Sequence, residues 1–302
     1  MCVRNKCRGK FHALIGRKYK RGLIFLLAQI SLCFFQAKHL AAQQFPLLSV
    51  QGNLDQGIML PPDRVPMGRQ DSAAMTQIRQ FKLAVHANAW TGMYAEGEMV
   101  HNANGKNGTT SAPEPTKLWI LGHEGYRMDV QKADGWSSTR LRGFYGGTKG
   151  PKGNISPMDA SNARKGLFAF PLLMAKNFPN GSDSIIDQGL VSVDGVQLHL
   201  VTVGEFSAEN TMGSQGRQRP ESVTDLYFSP QSNLLIKSST SVRFVRDPVK
   251  YLRVVEYGSY QEVNGVLIPF SYSLNLNGQP IWNLHLSTVD LGTSPSYDNF
   301  HF

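Results

Sequence analysis

Six histidines follow residue 42, and their spacing decides whether the chain can do metal or acid–base chemistry. They are His86, His101, His123, His199, His285 and His301. His123-Glu124 is the first half of a zinc-protease motif, but the fourth position on from His123 is Arg127, so two imidazoles cannot meet on one helical turn. The other histidines are scattered without ligand spacing. His199 and His285 alternate with apolar residues and are expected to face away from the main apolar set. The run Gly143-Phe144-Tyr145-Gly146-Gly147-Thr148-Lys149-Gly150 invites a phosphate-loop reading, yet it lacks the Gly-Lys-Ser/Thr ending and opens no helix. It reads as a turn or loop. Gly213-Ser214-Gln215-Gly216 is not the nucleophile elbow G-x-S-x-G. No carboxylate pair repeats at a spacing suited to glycoside hydrolysis. The residues nominate no catalytic group, no metal site and no cofactor, and a non-enzyme is expected.

The start of the chain explains its charge. Residues 1–21 are rich in Lys and Arg, Gly22 to Phe35 is an unbroken run of low polarity, and Ala41-Ala42 follow. This is the order of a secretory signal peptide, expected over 1–42. The apolar run falls short of the roughly 20 residues that a spanning helix needs. Residues 1–42 hold nine Lys or Arg and no acid, so the 31 cations and 22 acids of the whole chain leave 22 of each beyond them. The basic pI of about 9.5 therefore belongs to the leader and is no argument for nucleic acid or an anionic membrane as partner. All three cysteines, Cys2, Cys7 and Cys33, also lie there, so neither a disulfide nor a thiolate site is available to the rest. A chain exported to the periplasm or cell envelope without disulfides must depend on its core.

The elements that could position a site follow in order. Residues 43–70 are rich in Pro, Gly and Gln and read as an extended arm or linker. From 71 to 302 a single domain is expected. Asp71-Ser72 reads as the N-cap of a helix whose apolar side is Met75, Ile78, Leu83 and Phe81, ending by Trp90-Thr91-Gly92. Strands are expected at 93–101, 116–121, 126–130 and, after an Asp134-Gly135 turn, 139–145. Pro157 to Asn177 reads as the most apolar helical run, with Leu167, Phe168, Phe170, Leu172, Leu173 and Met174. Pro171 inside it predicts a kink or two short helices. Strands resume at 190–193 and 196–203 about Asp194-Gly195, and at 223–228 and 234–245.

The last stretch, Tyr251 to Leu291, carries the strongest pattern. Val266, Ile268, Phe270, Tyr272, Leu274 and Leu276 alternate with a wetter set, which predicts a strand with six buried side chains. Asn264-Gly265 predicts a type I′ turn with Val263 opposite Val266, which places Val255 and Tyr257 beside Phe270, Tyr272 and Leu274. In the next hairpin a two-residue Asn277-Gly278 loop would turn Trp282, Leu284 and Leu286 to the opposite face. A three-residue loop, Leu276-Asn277-Gly278 with a bulge at Gly278, keeps them on the same face and is the expectation.

The order VTDLYFSPQSNLLIKSST, then VVEYGSYQEVNGVLIPFSYSLNLNGQPIWNLHLSTVDL, then SYDNF resembles exported proteins of the lipoprotein-carrier (LolA/LolB-like) fold. The matching residues are Asp225, Tyr227, Pro230, Leu235, Tyr260, Gly265, Pro269, Phe270, Gly278, Gln279 and Phe300. The resemblance implies an α+β, mostly β architecture: a single curved antiparallel sheet, an incomplete β-barrel, covered on its concave side by helices. It also implies an apolar cavity for a lipid, an acyl chain or a lipidated protein, with transient membrane contact. Leu173, Tyr257, Phe270, Tyr272, Trp282 and Leu284 are the expected lining. Two readings stay open: a lipid-binding protein, or a structural or interaction module of the cell envelope whose core is filled.

Overall fold

A computed structural model describes residues 64–102, 110–122, 124–143, 145–158, 166, 169–178, 183–206, 220, 222–244, 247–292, 296 and 300. The expected leader, most of the arm, His123, Leu167, Phe168 and His301 lie outside the described residues.

Thirteen strands form one sheet, every neighbour antiparallel. The first six are β1 (Gly92–His101), β2 (Glu114–Leu121), β3 (Gly125–Lys132), β4 (Gly135–Arg142), β5 (Tyr145–Lys149) and β6 (Ile155–Met158). They run from the middle of the sheet to one edge. The chain then crosses to the opposite edge, passing α2 (Pro171–Asn177), and returns through β7 (Ser184–Val193), β8 (Val196–Glu205), β9 (Ser222–Phe228), β10 (Leu235–Phe244), β11 (Asp247–Val263), β12 (Val266–Leu276) and β13 (Gln279–Asp290). β13 pairs with β1 and joins the two meanders. The edges β6 and β7 do not meet, so the barrel stays open.

Turn chemistry sets the hairpins. Asp194-Gly195, Asn264-Gly265 and Asn277-Gly278 all have both residues at positive φ, the type I′ requirement. Val263 pairs with Val266 and Tyr257 with Tyr272, as the alternation predicts. The next turn differs from expectation. Leu276 pairs with Gln279, so the loop has two residues, yet Trp282 still lies opposite Leu274 and Leu284 opposite Tyr272. The parity is restored by a bulge further along, where Asn275 faces Pro280 and Ile281 is the extra residue. Proline has no N–H to give a ladder, so the pairing slips beside it at little cost.

Other corrections concern the glycine- and proline-rich stretches. The Gly143–Gly150 run is no loop, because Tyr145–Lys149 is β5, paired with β4. The turn before β4 is Ala133-Asp134, and Gly135 already pairs with Lys132. Pro157 lies in the edge strand β6 rather than in a helix, a place where its missing N–H goes unneeded. Pro171 does not kink a longer helix but opens α2 at its first position, where its fixed φ fits.

The helix α1 (Ser72–Ala84) buries Ala74, Gln77, Ile78 and Phe81, an i, i+3, i+4 stripe. Leu83 falls off that stripe and is exposed, contrary to expectation. The helix stops early because His86 takes positive φ, with its ring against the Gly265 carbonyl of the β11–β12 turn. Asp71 stands at the N-cap position without capping. Its carboxylate binds Arg69 and accepts the Asp187 N–H at 3.1 Å, which ties the helix start to β7. Just before it, Asp71 N–H donates to Ile185 O and Ile185 N–H to Arg69 O, so residues 69–71 run along the edge of β7.

Both helices sit on one face of the sheet, and their side chains merge with it into the main core. The middle of β12 is buried on both faces, with Pro269 and Ser271 as well as Ile268, Phe270 and Tyr272. Only four of its six alternating apolar residues are fully buried, since Leu274 and Leu276 near the turn are half-buried. A second cluster, Val193, Leu198, Leu200 and Tyr227, occupies the outer face. Because Leu198 and Leu200 belong to that outer cluster, His199 shares the inner face with Val201 and Phe228, the reverse of the expectation. It bonds Asp187 at 2.5 Å.

Candidate functional site

Leu173, Tyr257, Phe270, Tyr272 and Leu284 lie in one buried cluster, and Trp282 packs half-buried at its border. The register explains the grouping. Val255, Leu274 and Trp282 form one cross-strand row, and Tyr257, Tyr272 and Leu284 the next. Leu173 reaches them from above because α2 turns Leu172, Leu173 and Met174 inward together.

The aromatic rings interlock edge to face, the arrangement their quadrupoles favour. Tyr257 and Tyr272 are 5.9 Å apart at 89°. Phe170, the residue before α2, meets Tyr272 at 5.6 Å and Tyr126 of β3 at 4.8 Å. Two of the phenols are bonded inside the protein: Tyr257 bonds the Ser238 hydroxyl at 2.8 Å, and Tyr260 donates to Leu235 O at 2.7 Å. Burial pushes the pKa of Tyr126, Tyr257, Tyr260 and Tyr272 upward, so all four stay neutral across the physiological range. They can offer hydrogen bonds and ring faces, not charge.

One end of this face is polar. Arg253 lies two residues before Val255 and across from Thr240, whose hydroxyl is 2.9 Å from that of Thr224. Glu205, bonded by Ser222, shares the face at the end of β8. Burial lowers the Arg253 pKa, and Tyr126, Tyr257 and Glu205 oppose the shift. The guanidinium remains charged because its ordinary pKa is so high. The face thus runs from a cation and hydroxyls into rings and aliphatic groups. Such a surface suits an amphiphile. Among the described residues no group of three or more His, Cys, Asp or Glu is placed to hold a metal ion.

No family model and no curated protein matches the chain. In fold it is similar to LolA superfamily proteins. A LolA superfamily protein from Nitrosomonas europaea shares 11% identity at a TM-score of 0.49, covering 76% of this chain and 97% of its own. A DUF1329 family protein from Desulfovibrio piger shares 10% at 0.48, covering 76% and 97%. The lipoprotein LppX of Mycobacterium tuberculosis shares 14% at 0.26, covering 56% and 88%. These likenesses concern the path of the backbone, and no residue role passes through them.

The expected lining did not include Tyr126, Phe170 or Arg253, although Tyr126 fell in an expected strand and Phe170 in the apolar helical run. Arg253 was within reach, since it shares the parity of Val255 and Tyr257. Phe170 stands before a proline that opens a helix, a placement that only the fold of α2 reveals. Tyr126 belongs to the other meander, so nothing in its local pattern tied it to Tyr272.

Proposed function

We propose that the protein is a non-enzymatic binding protein, exported to the periplasm or cell envelope, that holds an acyl chain or a lipidated partner beneath α2. The observation that carries this is the graded inner face: an aromatic and aliphatic cluster bounded at one end by Arg253, Thr224 and Thr240. A lipid would lay its chain along Tyr257, Tyr272, Phe270 and Leu284 and leave its head group toward Arg253. α2 is the natural cover, being seven residues long and packed on β12 through apolar side chains. Its brevity limits the backbone hydrogen bonds that an opening would break, while its buried Leu172, Leu173 and Met174 supply the apolar contacts that a bound chain would replace. The C-terminal motifs, from Asp225 to Phe300, support the same reading.

Native mass spectrometry of protein purified from its own envelope tests it. The expected spectrum contains protein carrying an amphiphile of lipid mass, released on unfolding. Leu173→Asp, with circular dichroism unchanged, is expected to reduce that occupancy strongly, because a carboxylate would have to be buried beside the chain. The second reading, an interaction module with a filled core, is favoured by the near-complete burial of Leu173, Tyr257, Tyr272 and Leu284. Protein that carries no lipid and takes up no fluorescent fatty acid would establish that alternative and remove the first.

A further inference from the structure

The opposite side of the sheet has a different character. On the outer face of β2–β5 the register brings Lys117, Arg127, Arg140, Arg142 and Lys149 onto one surface. The strand carboxylate among them is Asp129, and Glu124 in the β2–β3 turn reaches Arg142 at 3.2 Å. Arg127 lies directly opposite Arg140, a like-charge pairing that is unfavourable taken alone. Part of the strain is relieved locally. Asp129 takes a forked bond from Arg127, whose guanidinium also lies 4.8 Å from the Trp119 ring. Glu96 of β1 lies opposite Lys117 on the same face, and the cations still outnumber Asp129, Glu124 and Glu96, although the chain beyond residue 42 is balanced.

Aromatic side chains stand at the margins of this field. Tyr145, opposite Arg142, is 84% exposed, and Trp136, whose ring has the Lys117 ammonium 5.5 Å from its centre, is 42% exposed. Ile155, opposite Lys149 on the edge strand, is 53% exposed. Cations flanked by exposed Trp and Tyr match an anionic bilayer surface. Its head groups attract Lys and Arg, and its interfacial layer takes up amphipathic rings. An acidic protein would match the charges but gives no reason for rings spread along the rim.

We propose that the outer face of β2–β5 docks the protein onto an anionic lipid bilayer. The proposal goes beyond the lipid-holding reading and uses the other side of the sheet, so either can fail alone.

Co-sedimentation of the purified protein with vesicles tests it. The expected result is binding to phosphatidylcholine–phosphatidylglycerol vesicles but not to pure phosphatidylcholine, weakening as salt screens the surface. Reversal of two cations, Arg140→Glu with Lys149→Glu, is expected to weaken binding by at least about tenfold, because each cation near such a surface contributes appreciably. Lys237→Glu, on the outer face of distant β10, is expected to leave binding unchanged. Tyr145→Ser is expected to reduce the part that survives high salt. Equal binding to both vesicle types, no binding to either, or salt-independent binding by the unaltered protein would overturn the proposal. Undiminished binding by the folded double variant would do the same.

Discussion

His101 is the residue with the clearest pH signature. Its Nε2 lies 2.6 Å from the Lys132 ammonium and 3.2 Å from Glu114. Burial first, and Lys132 second, hold the imidazole below its ordinary pKa, and Glu114 only partly opposes them. The folded protein therefore binds fewer protons than the unfolded chain once pH falls toward about 6.5. Stability is expected to be level above that point and to decline as pH drops through it toward the lower folded pKa. Urea midpoints measured from about pH 8 down to about pH 5 check this, across the range where an unperturbed histidine titrates. His101→Gln is expected to flatten the decline, and an unchanged slope would assign it to other groups. Residue identity also shows where sequence reasoning stops. Trp282 was legible as an inward residue because the core demands its parity. The route to that parity was not, since a bulge at Gly278 and a bulge at Ile281 produce the same facing. His199 was misplaced because β8 is apolar on both faces, and alternation alone cannot say which face is the main core.

Among the elements, α2 is the one packed on β12, beside Tyr272. Leu173 is completely buried beneath it, so Leu173→Ala is expected to lower unfolding stability by about 2–5 kcal/mol, read from chemical denaturation. Hydrogen exchange should separate local from global opening. Amides of α2 are expected to exchange through a lower-energy opening than those of β11 and β12, which are paired on both sides. Equal protection in the two would mean that α2 is a fixed part of the core and no cover. The Asp194-Gly195 and Asn264-Gly265 turns were readable from sequence because positive φ at two successive residues has few solutions, whereas Asn277-Gly278 was expected within a three-residue loop and forms a two-residue one. β5 and β6 were not readable, since Gly146-Gly147 and Pro157 suppress strand signals, and pairing with β4 is what holds them extended. The helical pattern over 157–177 likewise misled, because a proline can sit in an edge strand or begin a helix as well as break one.

For the whole molecule, the mostly β class and the open sheet under helices were within reach of the C-terminal motifs, while the centre-out path of β1–β6 was not. That path depends on β13 returning to pair with β1, a contact across nearly 200 residues that leaves no local trace. Charge had the same property. The balance of cations and acids beyond residue 42 conceals the segregation on β2–β5, which appears only when register places the residues in rows.

The open sheet has two ends, and the chain treats them differently. β6 is four residues long and contains Pro157, so it is a poor template for another strand. β7 is ten residues long, and Arg69–Asp71 lie along part of it, bonding through Ile185. Those residues occupy the Ile185 backbone groups that an incoming strand would need. A chain beginning at Ser72 would expose the N–H and C=O of Ile185 to solvent, the kind of edge that accepts a strand from a second molecule. Light scattering on that truncation is expected to show mass rising with concentration, while the longer chain stays constant. A truncated chain of constant mass would mean that β7 is protected by its own twist, and that the segment serves only to anchor α1.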